Sequence, residues 1–291
     1  MRIESELLTE GLFGQVLIWM LELVPYLDQL GQKPEWILRS RNYGQPPGFN
    51  IFPSIITTTY EPGSESGASA VSFERLLQTV NHDYRGDFHF ANRCWQENFR
   101  FTGDVYEQLR SFCSQCSVGE TTLGVHYRGT DKNTSAVETN PVTAAEFISI
   151  LRDFMATRPD VNSIFVASDD FWFAEAMKDF ASDEISILSH QQPRSKDGRP
   201  LFKHHDVSAN EQFAKQAILD CLTLSRCRYV LSCTSALSAF AKILNPDLEA
   251  YRATACKPVW FPIAYIPRYR GSDEATRKLL IKLQMADWEG P

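Results

Sequence analysis

The chain has no surplus of positive charge: 29 Lys and Arg stand against 36 Asp and Glu, for a formal net charge of −7. That balance argues against nucleic acid or an anionic membrane surface as the main partner. Long apolar runs are missing as well. The most apolar helical stretch, Phe13 to Leu27, is interrupted by Glu22 and Pro25, so it does not read as a membrane span. The opening residues Met1 to Glu6 are too acidic for the n-region of a signal peptide, and no short apolar core follows them. Paired cysteines are also lacking. The seven present are an odd number scattered through apolar contexts, which suits reduced, buried thiols and a cytoplasmic setting better than a disulfide framework. Cys113 and Cys116 have the spacing of a redox or zinc pair, but no second pair accompanies them, and no metal site is assigned. Internal repeats and low-complexity segments are absent.

What remains is an ordinary globular composition, 43% hydrophobic and 22% charged, in a chain of 291 residues that is long enough for two domains. The pattern reads as α/β, with two Rossmann-like halves and a boundary near Gly119, giving domains 1–118 and 119–291. Beyond the boundary, strands and helices alternate. Strands are expected at Leu123–Tyr127, Ser163–Ser168, Ile185–Leu188 and Tyr229–Ser232, and helices at Thr143–Met155, Trp172–Phe180, Ala209–Ser225 and Ala236–Leu244. Such alternation implies a parallel sheet with helices on both faces, whose ligands sit at the carboxyl ends of the strands. Before the boundary the signals are looser. Leu17–Leu30 has helical spacing, Glu35 begins a second strand, and 42–50 and 61–70 are loops rich in Gly, Pro and Ser. Leu76 to Val118 is mixed: packed but irregular around Phe88, Trp95 and Phe99, then helical from Val105 to Cys113.

Chemistry concentrates in one stretch. Leu123, Gly124, Val125, His126 and Tyr127 form a short apolar run, and Arg128, Gly129, Thr130, Asp131 and Lys132 follow as a polar turn. A guanidinium at a strand end is shaped to hold phosphate or carboxylate through two parallel hydrogen bonds, with Asp131 able to fix it and Gly129 allowing the turn. A structural Arg–Asp pair closing a turn explains the same residues equally well.

A family resemblance bears on that choice. His126, Arg128, Thr130, Asp131 and Lys132 resemble the His-x-Arg-x-Thr-Asp-Lys signature of the α1,6-fucosyltransferases, which include the nodulation and core fucosyltransferases, and more distantly the protein O-fucosyltransferases. Ile164 to Asp170 resembles the strand ending in paired acids that follows in those enzymes. Ala217 to Ser235 resembles their helix, strand and Thr/Ser segment. The three blocks occur in the family's order, from about Leu123 to Pro246. The resemblance implies a GT-B-like fold, with two Rossmann-like domains whose parallel sheets face a central cleft, and with the C-terminal segment packing back on the first domain. It also implies GDP-fucose as donor, a glycan acceptor, no metal and no other cofactor.

Asp220 stands out without any family knowledge, because it interrupts the apolar helix Ala217 to Leu224. A buried carboxylate is costly unless it meets a partner or a ligand. A backbone N–H or Arg226 would satisfy it. The resemblance implies instead the N–H edge of the guanine base, for which a carboxylate is the natural bidentate acceptor. Asp169 and Asp170 follow a hydrophobic strand. They read either as oxygen ligands for a divalent metal or as one helix N-cap beside one acid facing the cleft. The resemblance implies that these acids contact the donor. Thr234 and Ser235 precede a helix, which they can cap while presenting its positive end to phosphate. His126 points to the strand face opposite Tyr127, at the core or the cleft edge, and is placed with the donor-binding residues. Gly14, in a turn feeding a helix N-terminus, joins them as a weaker candidate, lacking the full Gly-x-Gly-x-x-Gly pattern. His204, His205 and Asp206 fall in a polar loop.

The implied reaction is glycosyl transfer with inversion. Arg128 would neutralise the departing diphosphate, aided by Lys132 and the Ser235 helix end. Glu138 would be the general base, although it lies two residues further along than the family pattern expects, and Asp131 or Asp170 is the next candidate. The pattern's second Arg is replaced by Gly129, and the coiled-coil and SH3-like additions of the animal enzymes are lacking. Three other readings stay open: a metal-dependent nucleotide-sugar transferase with Asp169 and Asp170 as ligands, a transferase using another GDP-hexose, and a non-catalytic nucleotide- or glycan-binding protein.

Overall fold

The six residues Thr122 to Tyr127 are all buried, although none lies in a helix, because helices cover both faces of the strand they form. The computed structural model describes residues 1–8, 12–40, 42–43, 50–63, 70–79, 88–130, 142–201, 210–233, 235–253 and 259–260. Strand β6 (Thr122–Tyr127) pairs in parallel with β7 (Ser163–Ser168) on one side and β9 (Tyr229–Ser232) on the other. Beyond them lie β8 (Ser186–Leu188) and β10 (Glu249–Arg252), also parallel, and the short antiparallel edge β11 (Val259–Trp260). The spatial order is β11-β10-β9-β6-β7-β8. Burial on both faces is why the central strands read as continuous apolar runs instead of alternating ones.

Two layers of helix enclose this sheet. On one face, Leu123, Val125 and Tyr127 pack against Phe147 and Phe154 of α6 (Ala144–Ala156) and Phe173 of α7 (Phe171–Ala176). Helix α6 starts with a full capping box, in which Thr143 and Glu146 satisfy each other's backbone N–H groups. On the other face, Phe165, Val230 and Ala250 meet α8 (Asn210–Leu224) and α9 (Ala236–Leu244). Gly124 lets α8 come close to β6: a Cβ there would sit 2.7 Å from Leu224 Cδ2.

The residues before 119 build a smaller sheet, in which β1 (Arg2–Leu8) is flanked in parallel by β2 (Glu35–Ser40) and β4 (Ala70–Ser72). A π-helical turn, Leu12–Ile18, runs straight into α1 (Trp19–Gln29), which contains Pro25. Helix α2 (Phe52–Ile55) leads to β3 (Ile56–Thr58), which pairs antiparallel with β5 (Phe99–Phe101); α3 (Phe73–Thr79), α4 (Phe88–Asn98) and α5 (Gly103–Cys116) complete this half. One hydrophobic cluster runs from Ile3 of β1 to Ala250 of β10. Its joint is Phe240 of α9, which meets Trp95 of α4 edge-on at 5.1 Å and Phe13 at 5.9 Å between ring centroids.

All four expected strands and all four expected helices of the second half are present within a few residues of the predicted bounds, the helix at 172–180 ending as a 3-10 turn, Met177–Phe180. The first half departs more. Residues 88–98 form a regular α-helix rather than irregular structure, since Phe88, Ala91, Cys94, Trp95 and Asn98 fall on one buried stripe. Strand β1 was hidden by its charged alternate residues, Glu4 and Glu6. No helix among the described residues is long and apolar enough to cross a membrane. The six described cysteines are free thiols.

Candidate functional site

At the carboxyl end of the large sheet a cleft of about 100 Å³ opens. It is lined by His126, Arg128, Asp169, Gln192 and Asp220, and by Tyr43 from the first half. The strand order brings these residues together. His126 and Ala167 are register partners on adjacent strands, so Arg128 and Asp169, two residues further on, also emerge side by side on the α8–α9 face. The cleft is smaller than the ~300–1,000 Å³ of a typical small-molecule pocket.

Asp169 is the hub of the turn. Its Oδ1 accepts a hydrogen bond from the Gly129 backbone N–H at 3.1 Å, and its Oδ2 accepts one from Thr130 Oγ1 at 2.6 Å. Arg128 Nε lies 3.4 Å from the same Oδ2, with both side chains largely buried. Cys233 Sγ accepts from the Arg128 backbone N–H at 3.1 Å. Burial lifts the Cys233 thiol to about 12, so it acts as a neutral prop and not a nucleophile. The guanidinium is thereby held at the cleft by a carboxylate from the neighbouring strand. The Arg128–Asp131 pairing weighed from sequence cannot be compared with this one, because Asp131 lies outside the described residues.

Asp170 takes the other role. Its Oδ1 caps α7 by accepting from Phe173 N–H at 2.9 Å, and its own N–H is held by Ser168 Oγ. The two acids are therefore divided between helix cap and cleft. Gly129 faces Asp170: a Cβ there would collide with the Asp170 carboxylate and approach Tyr127 Cε1 to 2.7 Å. The side chain that the family pattern places at this position has no room here.

Asp220 projects from α8 into the same cleft, only 5% exposed. Gln192 Nε2 donates to its Oδ2 at 2.8 Å, whereas its Oδ1 is buried with no hydrogen-bond partner. Burial raises the Asp220 carboxyl to about 7; the Gln192 hydrogen bond and the Arg194 charge pull it down, while Asp169 adds to the rise. Arg194 donates from Nε to the Ser168 carbonyl at 3.3 Å and leaves Nη2 buried without a partner. Both residues come from the segment after β8, which crosses the end of β7: Ser195 N–H bonds the Asp169 carbonyl at 2.8 Å, and Phe171 N–H bonds the Ser195 carbonyl at 2.9 Å. Gln192 and Arg194 were not picked out from the sequence. They sit in a polar loop with no periodicity, and only the return of that loop over Asp169 gives them a place.

His126 is 4% exposed and lies 3.4 Å through Nδ1 from Ser238 Oγ. Burial, and then the Arg128 charge, push its pKa down to about 3, so the ring is neutral at any ordinary pH. It forms part of the cleft wall as an uncharged group. Ser235 caps α9 by accepting from Leu237 N–H at 3.2 Å. Gly14 lies inside the π-helical turn, third in its run, rather than in the loop before a helix, and it does not line the cleft. Asp131, Lys132, Glu138 and Thr234 lie outside the described residues, as do His204, His205 and Asp206. Among the described residues, no group of three or more His, Cys, Asp or Glu could hold a metal ion.

A paired guanidinium and a carboxylate with one unsatisfied oxygen stand together at the carboxyl edge of a parallel α/β sheet, where ligands of such sheets bind. Solved structures of the fucosyltransferase NodZ share the fold. The structure from Bradyrhizobium aligns over 90% of this chain and 98% of its own with a TM-score of 0.58 at 15% identity. NodZ alpha-1,6-fucosyltransferase co-crystallized with GDP aligns over 91% and 98% (TM-score 0.55), and the same enzyme soaked with GDP-fucose over 86% and 94% (TM-score 0.52), each at 15% identity. No family model matches the chain, and no curated protein is significantly similar to it in sequence.

Proposed function

We propose that this protein is an inverting glycosyltransferase that moves fucose from GDP-fucose to a hydroxyl of a glycan. The observation that carries the reading is the pair of opposite chemistries in one cleft. The unsatisfied Asp220 Oδ1 suits the adjacent N–H donors of a guanine edge, and the Arg128 guanidinium suits a diphosphate. The shared fold with NodZ, which has been crystallised with GDP and with GDP-fucose, supports the choice of donor.

In this reading the acceptor hydroxyl attacks the anomeric carbon from the face opposite the leaving GDP. The C–O bond to the β-phosphate breaks, and negative charge grows on the diphosphate. Arg128, with Lys132 and the positive end of α9 behind Thr234 and Ser235, neutralises that charge. The acceptor proton goes to a carboxylate. Glu138 is the first candidate and Asp131 the second; Asp170 ranks below them because it already caps α7. Asp169 positions Arg128 and the Gly129–Thr130 turn.

The donor set also bears on the metal-dependent alternative. Asp169 already accepts from Gly129 and Thr130 and pairs with Arg128, and Asp170 accepts a helix N–H, so the two acids present no joint chelate. A metal-free reaction is therefore part of the proposal, as are a cytoplasmic setting for the free thiols and a domain pair 1–118 and 119–291 meeting at the cleft, to which Tyr43 contributes from the first half.

The test is calorimetric titration of GDP, GDP-fucose, GDP-mannose and UDP, with and without EDTA, beside an Arg128→Ala variant. Chelator-insensitive binding of GDP-fucose that is lost in the variant supports the reading. Binding of none of the four, or a metal-dependent preference for UDP, overturns it.

A further inference from the structure

Two polar side chains at the end of the large sheet have no use in the site described so far. Arg252, the last residue of β10, is 9% exposed, and its Nε is buried without a hydrogen-bond partner. It makes no ion pair or ring contact among the described residues. Ser232, the last residue of β9, is fully buried, and its hydroxyl is likewise unsatisfied. The two are direct register partners. A guanidinium cannot shed its charge by deprotonation, so burying one without a counter-charge is costly. Two unsatisfied groups side by side at the ligand-facing end of a parallel sheet indicate a missing occupant rather than a packing fault.

The surroundings specify what that occupant is. Along β10, Tyr251 and Ala253 pack on the α6 side, whereas Ala250 joins the α8–α9 core, so Arg252 projects towards α8 and α9. The register continues from Arg252 to Ser232, His126 and Ala167, a row of side chains on one face of the sheet. Above this row stands the first turn of the nine-residue α9. Ser235 caps it, and Ser238 bonds the Ser235 carbonyl while lying against His126. The first-turn N–H groups of α9 therefore open at the same end as the Arg252 and Ser232 donors. His126 and Leu237 of this row and turn also line the cleft that holds Arg128. Cation, hydroxyl and helix N-terminus all favour an anion, and a phosphoryl group, with several acceptor oxygens, can use all three.

We infer that Arg252 and Ser232 form a second anion-holding element of the cleft, on the β10 side of the α9 N-terminus, and that they take a phosphoryl oxygen. The anion has two possible sources: the diphosphate of the nucleotide, or a separate phosphate such as one carried by the acceptor. Only the first source rests on the nucleotide-sugar reading. Because Gly129 has no room for a side chain, a cation reaching in from β10 supplies charge that the Arg128 turn alone does not.

Inorganic pyrophosphate, GDP and guanosine are titrated into the full-length protein and its R252M, R252K and S232A variants, with melting curves taken in parallel. The expected result is that R252M melts higher than the parent without ligand, since it removes a buried charge that has no ion pair among the described residues, and no longer gains stability from pyrophosphate. Its affinity for pyrophosphate falls at least tenfold, with R252K intermediate and S232A losing a few-fold. A parallel tenfold loss for GDP with unchanged guanosine binding assigns the anion to the nucleotide. Unchanged GDP binding assigns it to a separate phosphate. Pyrophosphate binding that depends on Arg252 in a protein that ignores GDP and guanosine upholds the anion site while refuting the nucleotide-sugar reading. Parental pyrophosphate affinity in folded R252M or R252K overturns the inference and makes Arg252 a purely structural side chain.

Discussion

Replacing Asp220 by Asn separates what the carboxylate costs the fold from what it does for a ligand. The Asp220 carboxyl is raised from 3.8 to about 7 in the folded chain, chiefly by burial. Below pH 3.8 the group is neutral in both folded and unfolded chains and exerts no effect. Between 3.8 and 7 the unfolded chain ionises while the folded chain resists, so stability falls as pH rises; above 7 the penalty is complete. At ~1.36 kcal/mol for each tenfold change, that penalty is roughly 4 kcal/mol. Asp220→Asn removes the charge while keeping the shape, so it should stabilise the free protein by up to about 4 kcal/mol at pH 8 and by almost nothing at pH 4. Ligand binding should move the other way. Losing a charged acceptor for the guanine edge costs about 1.5–3 kcal/mol, or roughly 10- to 150-fold in GDP affinity. In the parent, GDP affinity should rise with pH through about 7 as Asp220 ionises, and in the variant it should not. Urea denaturation at pH 5 and 8, with calorimetry of GDP and of IDP, which lacks the 2-amino donor, reads all of this. A variant that is less stable at pH 8, or that binds GDP as the parent does, refutes the assignment of Asp220 to the base.

Three further outcomes follow from the same geometry. Gly129→Ala drives a methyl group into Asp170 and Tyr127 and should cost roughly 1–3 kcal/mol in denaturant titrations; a neutral result would show that the turn relaxes freely. Asp170→Ala removes only the α7 cap and should cost about 1 kcal/mol, with GDP binding close to parental; a large loss of nucleotide affinity would place Asp170 in the donor site instead. Both His126 and His190 are held below their ordinary pKa by burial, at about 3 and about 4. Because they protonate more readily once unfolded, they should draw stability down as pH falls from 6.5 towards those values. Proton NMR of the imidazoles should therefore show two rings that do not titrate between pH 5 and 8.

Much of the second half could be read from residue order. Thr122–Tyr127, Ser163–Ser168 and Tyr229–Ser232 are short apolar runs closed by polar turns, and helical spacing separates them. A parallel sheet follows from that alternation, and with it the convergence of Arg128, Asp169 and Ser235 at one edge. The first half resisted because β1 alternates Arg2, Glu4 and Glu6 with its apolar residues, and because the burial of Phe88 and Trp95 depends on α9, some 150 residues later in the chain. Gly14 lies within the π-helical turn and not ahead of the helix, and its neighbour Phe13 packs on Phe240 of α9.

Sequence alone pointed to a buried Asp220, since it lies inside an apolar helix, and offered one helix cap beside one cleft acid as a reading of Asp169 and Asp170. Which acid caps, and which gathers Gly129, Thr130 and Arg128, was decided by the tertiary structure, because the answer depends on how β6 and β7 sit against each other. The same holds for the unmatched oxygen of Asp220, for Gln192 and Arg194 arriving from a loop, and for Arg252 beside Ser232. Each is defined by a hydrogen bond made or missing between residues far apart in the chain, and local pattern carries no record of such a bond.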